Sequence, residues 1–230
     1  MRAYVSELLG STLFVMAVLT ATLSGSDLAP VAVGAALLAL VYTCAPMSGA
    51  HLNPALSLAT VIRGTLPVVE LVPYLAAQLL GGLVAYLLTA GIYGDQIDAL
   101  PGPVDLSGLV VAAFLVELVF SFALAWVYLG TLGRLTGPDA TVEARDHQLG
   151  PAGLAIGGIV AAGTVAAGPI SGAALNPVVT FAMGLTGILD WKWVPIYVLA
   201  QLLGALLASL ITLGTLPARP DTPTPPNTAG

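Results

Sequence analysis

The sequence predicts an all-α membrane protein in which six transmembrane helices and two re-entrant half-helices form an inverted 3+3 repeat. Three observations carry this. The 230-residue chain is 57% hydrophobic and only 8% charged, with a mean hydropathy of +0.97. Soluble domains carry about 25% charged residues, so most of this surface needs lipid as its solvent. Second, uncharged runs cover 8–26, 28–62, 71–94, 118–133, 147–189 and 193–218, and a spanning helix needs about 20 apolar residues. Third, two of these runs, 28–62 and 147–189, are too long for one helix, and each holds an Asn-Pro pair.

Apolar runs between turn signals place helices at about 4–23, 28–45, 66–90, 107–131, 148–167 and 193–214. The first, with Arg2 before it and small residues at its end, has the outline of a signal peptide. Glu7 early in the run, matched by a second Glu in the other half, argues against cleavage. Segments 91–106 and 132–147 are polar enough to be connections in water, and the Pro/Thr-rich tail, 215–230, reads as disordered. An even number of spans puts both termini on one side. Arg2, Arg63, Arg134, Arg145 and Arg219 then share that side and only Lys192 faces the other, which predicts cytoplasmic termini for a multi-pass integral membrane protein.

The overlong runs are near copies. Ser48-Gly-Ala-His-Leu-Asn-Pro-Ala and Ser171-Gly-Ala-Ala-Leu-Asn-Pro-Val lie 123 residues apart, and Ala77-Gln-Leu-Leu-Gly81 recurs as Ala200-Gln-Leu-Leu-Gly204 at the same offset. Glu7 and Glu117 sit in the first helix of each half. One channel-like domain, 1–214, therefore divides into repeats at about 1–95 and 107–214. Three spans per repeat invert the second copy, and such repeats put their working site near the bilayer midplane. Asn53 and Asn176 suit N-caps and the prolines suit the first helical position. The apolar residues 54–63 and 177–186 then form helices about 15 Å long, half a hydrocarbon core. Non-helical backbone at that depth must be buried in protein or line a wet cavity. Two half-helix N-termini brought together, each carrying about half a positive charge, repel cations at a pore centre. The Asn53 and Asn176 amides are expected to offer donors to a passing oxygen, and the unpaired carbonyls before each Asn to form an acceptor ladder.

These motifs resemble those of the major intrinsic protein (aquaporin and aquaglyceroporin) family over nearly the whole chain except the tail. The resemblance implies the aquaporin fold, a homotetramer with one pore per subunit, and passive passage of small neutral solutes and water. Family members usually follow the second motif with an Arg that narrows the outer mouth; Val179 stands there, and the other filter positions fall at Val33, Thr164 and Ala173. An uncharged filter with one hydroxyl implies solutes bulkier than water. Glycerol-like polyols are candidates, as are arsenous and boric acids, since some bacterial relatives lacking the Arg are associated with arsenic resistance. Thr180 replaces the Asp typical of the glycerol branch. A water-selective or poorly conducting relative is the alternative.

Glu7 and Glu117 are expensive inside a membrane. The resemblance assigns them structural roles, receiving backbone hydrogen bonds from the re-entrant loop; the other reading is proton coupling in a secondary transporter. His51 resembles the family's pore-lining His at the cytoplasmic vestibule, there to bind solute or to gate with pH. Gln78 and Gln201 read as helix-packing groups, and Trp126, Trp191, Trp193 and several Tyr as interfacial anchors. His147 reads as solvated, and Cys44 as a small hydrophobe or a thiol for trivalent arsenic. A single cysteine excludes an intramolecular disulfide. The residues suggest no metal site and no cofactor, and nucleic acid has no basic patch to bind. No nucleophile–base pair or His-Glu-x-x-His motif points to an enzyme.

Overall fold

In lipid, backbone N–H and C=O groups have no water to pair with, so uncharged runs long enough to cross become helices. The computed structural model describes residues 1–96, 104–135 and 142–215. Among the described residues six helices are long and apolar enough to cross a membrane. They are α1 (Arg2–Ser24), α2 (Ala29–Ser48), α4 (Val68–Tyr93), α5 (Val110–Gly130), α7 (Val142–Ser171) and α9 (Val194–Thr215). Two half-helices, α3 (Pro54–Arg63) and α8 (Pro177–Leu185), follow α2 and α7, and a short α6 (Leu132–Leu135) follows α5.

Two boundaries differ from expectation. The second span continues past 45, through Pro46, and stops only where Gly49 turns left-handed at φ 86. The fifth begins at Val142 and not near 148, because charge marks where a helix leaves lipid and not where its hydrogen bonding ends. The side chains of 142–147, including His147, and the whole of 97–103, 136–141 and the tail 216–230 lie outside the described residues.

Small residues let the spans approach closely, as membrane helix packing requires. Gly34 of α2 faces Gly157 of α7, and a Cβ on either would run into the other's carbonyl oxygen. These two glycines are themselves related by the 123-residue offset, so the helices cross on the repeat's pseudo-twofold axis. The same logic recurs within each half: Gly81 of α4 rests on Leu8 and Ser11 of α1, and Gly204 of α9 rests on Leu118 and Ser121 of α5. The most extensive helix pairs are α5 with α9, α1 with α4, and α2 with α7. Each half-helix also packs on the third span of the opposite repeat, α3 on α9 and α8 on α4. That exchange locks the halves together. Large apolar side chains such as Leu9, Leu13, Val72, Leu87, Val111, Leu115 and Leu199 stay exposed, the outward face of a bundle whose surroundings are acyl chains.

Candidate functional site

Each re-entrant turn starts with glycine in the left-handed region, Gly49 at φ 86 and Gly172 at φ 77. Two further residues in each turn follow it there: Ala50 and Leu52, then Ala173 and Leu175, all at φ 49–51. Such conformations cost about 1–3 kcal/mol apiece in a residue with a Cβ and persist only when neighbours over-determine them. The neighbours are the paired carboxylates. Glu7 accepts from the His51 N–H at 3.0 Å, the Leu52 N–H at 2.7 Å and the Gln78 amide at 2.7 Å. Glu117 accepts from the Ser171 hydroxyl at 2.7 Å, the Ala174 and Leu175 N–H groups at 2.9 and 2.8 Å, and the Gln201 amide at 2.8 Å. Successive N–H groups converging on one anion form a backbone nest. Both carboxylates are fully buried and sit behind the turns, not on the cavity the turns line.

Gln78 and Gln201 extend the same brace to the half-helices, through Ser57 at 2.9 Å and Thr180 at 2.8 Å. Tyrosines finish it. Tyr74 donates to the Ser48 carbonyl at 2.9 Å, its repeat mate Tyr197 to the Ser171 carbonyl at 2.7 Å, and Tyr128 to the Gly49 carbonyl at 2.7 Å. All three are buried, so these tyrosines are not the interfacial anchors that span-end tyrosines suggest. The offset of 123 between Tyr74 and Tyr197 was the signal that could have found two of them. Trp126 and Trp191 are half-exposed, as anchors require.

Asn53 and Asn176 cap α3 and α8, their side-chain oxygens accepting from the Ala55 and Val178 N–H groups at 2.8 and 2.9 Å. Their amide nitrogens cross to the other repeat: Asn53 donates to the Leu175 carbonyl at 3.2 Å and Asn176 to the Leu52 carbonyl at 2.8 Å. One amide hydrogen of each is therefore committed and one is left for the cavity. The acceptor ladder is shorter than expected for the same reason, since Leu52, Leu175 and Gly49 carbonyls already have donors. Among the described residues nothing donates to the carbonyls of Ala50, His51, Gly172, Ala173 and Ala174.

Those two turns line a narrow cavity of about 60 Å³. Phe14, Val18, Val33, Leu37, Leu124, Ile156 and Val160 form an apolar wall; His51, Asn53, Asn176 and Thr164 are its principal polar side chains, and no Asp, Glu, Lys or Arg is among the lining residues. Of the four positions expected to form a filter, Val33, Thr164 and Ala173 line the cavity together. Val179 does not: it is 1% exposed and packed in the apolar core. The Thr164 hydroxyl donates to the Val160 carbonyl at 2.8 Å, leaving only its lone pairs to face inward. His51 also lines the cavity, its Nδ1 3.1 Å from the Ser57 hydroxyl and its ring against Tyr74 and Tyr128. Phe14 and Leu124, missed in the sequence, occupy equivalent places in the two repeats, each seven residues after its Glu. Among the described residues no cluster of His, Cys, Asp or Glu could hold a metal ion.

A family model described as Major intrinsic protein matches residues 1–144 and 134–224. The protein named Aquaporin AqpM from Methanothermobacter marburgensis is 34% identical over 188 residues, covering 78% of this chain and 72% of its own. Aquaporin-B from Dictyostelium discoideum is 31% identical, covering 90% of this chain and 80% of its own. An X-ray structure of the aquaglyceroporin from Plasmodium falciparum superimposes with a TM-score of 0.74 at 21% identity, covering 92% of this chain and 94% of its own, which shows the same fold.

Proposed function

Because the chain belongs to the major intrinsic protein family of passive, non-enzymatic channels for water or small solutes, we propose that it conducts uncharged solutes bulkier than water. Glycerol-sized polyols, arsenous acid and boric acid are the class, and water passes with them. One observation carries this reading: the cavity around the two Asn-capped half-helices has no charged side chain on its lining. Its outer ring of Val33, Thr164 and Ala173 presents apolar groups and acceptors, with no guanidinium to narrow it. A polyol laid against the Gly172, Ala173 and Ala174 carbonyls would donate to them while its carbon skeleton meets the apolar wall.

Asn53 and Asn176 are the pore centre in this reading. Their remaining amide hydrogens and the two half-helix N-termini receive a solute oxygen and repel cations, hydrated protons included. Glu7 and Glu117 are structural, their oxygens occupied by donors from the turns and from Gln78 and Gln201. His51 sits at the cytoplasmic vestibule. Both termini face the cytoplasm, as the arginine distribution supports, and the functional unit is a homotetramer in the lipid bilayer.

The test is stopped-flow light scattering on liposomes carrying the full chain, under gradients of sucrose, glycerol and arsenous acid. Rapid reswelling with glycerol or arsenous acid, above empty liposomes, is the expected result. Fast water flux with no solute entry would make the protein a water-selective channel and overturn the solute assignment.

A further inference from the structure

The two halves of the cavity are not alike, and the difference falls on two pairs of residues that the repeat itself relates. Eleven residues after Glu7 comes Val18; eleven after Glu117 comes Tyr128. At the 123-residue offset, Ala174 corresponds to His51. In the half nearer Gly172 the small pair, Val18 and Ala174, both line the open cavity. In the half nearer Gly49 the equivalent pair is large: His51 lines the cavity's end and Tyr128 packs directly behind it, off the lining. Tyr128 is 0% exposed, its hydroxyl held 2.7 Å from the Gly49 carbonyl, with its ring edge-on to His51 at 5.7 Å between centroids. The cavity ends there. Val41 and Ala152, one turn beyond Leu37 and Ile156 toward the termini, do not line it and are 0% and 3% exposed.

We propose that the narrowest ring of the permeation path lies at Tyr128 and His51, on the terminus-bearing side of the paired Asn residues, and that this ring sets the largest solute admitted. The inference rests on reading the cavity as part of a through-going pore. Pore diameter and lining polarity decide which neutral solutes cross. An imidazole backed edge-on by the Tyr128 ring stands fixed in the path and leaves less width than Val33, Thr164 and Ala173 do at the other end. Tyr128 is then a specificity-determining residue whose counterpart in the other repeat shows what the site looks like without it.

The experiment measures permeabilities of water, glycerol, erythritol and ribitol in liposomes carrying wild type, Tyr128→Val, Tyr128→Phe and His51→Ala, with circular dichroism and size-exclusion checks on each. Tyr128→Val copies the other repeat and is expected to raise the glycerol-to-water ratio about five-fold or more and to admit erythritol. His51→Ala opens the same ring from its other side and shifts the cut-off in the same direction. Tyr128→Phe keeps the ring and keeps the wild-type cut-off. Should Tyr128→Val fail to fold, His51→Ala carries the test alone. An unchanged solute series in both enlarging variants, with wild type conducting, overturns the constriction and leaves the channel standing. A Tyr128→Phe cut-off matching that of Tyr128→Val also overturns it, by assigning the limit to the hydroxyl's bond and not the ring. Wild type closed but Tyr128→Val open supports it. No flux in any of the four overturns the channel reading itself.

Discussion

The Asn176 amide donates to the Leu52 carbonyl at 2.8 Å, tying the start of one half-helix to the backbone that leads into the other. The reverse bond, Asn53 to Leu175, is longer at 3.2 Å. Each Asn thus does two jobs with one side chain, capping its own helix and clamping the opposite turn.

Removing the side chain undoes both. Asn176→Ala forfeits a cap worth about 1–2 kcal/mol and a hydrogen bond worth about 1 kcal/mol. We expect a lower melting temperature in detergent, and a smaller drop for Asn53→Ala because its cross-bond is the longer one. Equal melting of Asn176→Ala and wild type would show that the clamp adds nothing to stability.

Glu117→Gln replaces one acceptor oxygen with an NH2 group that faces existing donors. Hydrogen bonds to a charged acceptor contribute about 1.5–3 kcal/mol each, so losing even one of the four is severe. The expected readout is reduced yield of monodisperse protein and an earlier loss of helical circular dichroism. The same occupancy predicts that an imposed pH gradient drives no uphill solute uptake in wild-type liposomes. Accumulation against a gradient would restore the transporter reading of Glu7 and Glu117.

Gly157 and Gly158 are neighbours with opposite surroundings. A Cβ at 157 meets the Gly34 carbonyl and Leu38, whereas at 158 nothing lies within 4 Å. Gly157→Ala is expected to cost about 1–3 kcal/mol by overpacking. Gly158→Ala should be neutral or stabilising by up to about 1 kcal/mol through helix propensity. Paired thermal melts decide it; similar melting of the two variants would mean that α2 and α7 are not held at that crossing.

Val179→Arg tests the filter assignment. From its position in the apolar core the guanidinium either reaches the lumen or is stranded unpaired, which is destabilising. We expect a folded variant with glycerol and arsenous acid fluxes several-fold lower and water flux less affected. Unchanged solute flux would remove position 179 from the filter.

How much of this was legible beforehand follows from what a sequence records. Charge-free runs revealed the six spans, because an unpaired charge in lipid is prohibitive wherever it points. The half-helices were legible for a similar reason: cap, proline and an apolar run of half-membrane length are local signals. The 123-residue offset paired Gln78 with Gln201, and their like places in the first helix of each half paired Glu7 with Glu117, before any coordinates. Facing was not legible. A helix apolar on all sides carries no stripe to say which residues turn inward, so Val179 was read as lining and lies in the core, while Phe14, Val18 and Leu124 were passed over.

By itself the sequence determined the membrane class, the inverted repeat and the two capped half-helices, each written in local chemistry at fixed spacing. Only the tertiary structure decided which carbonyls the Asn amides take, that Tyr74, Tyr128 and Tyr197 brace the turns, and that one half of the cavity is open where the other is filled. Those outcomes depend on contacts between residues 26 to 124 positions apart in the chain. Close packing settles them through the rotation and approach of whole helices, quantities that no single stretch of chain encodes.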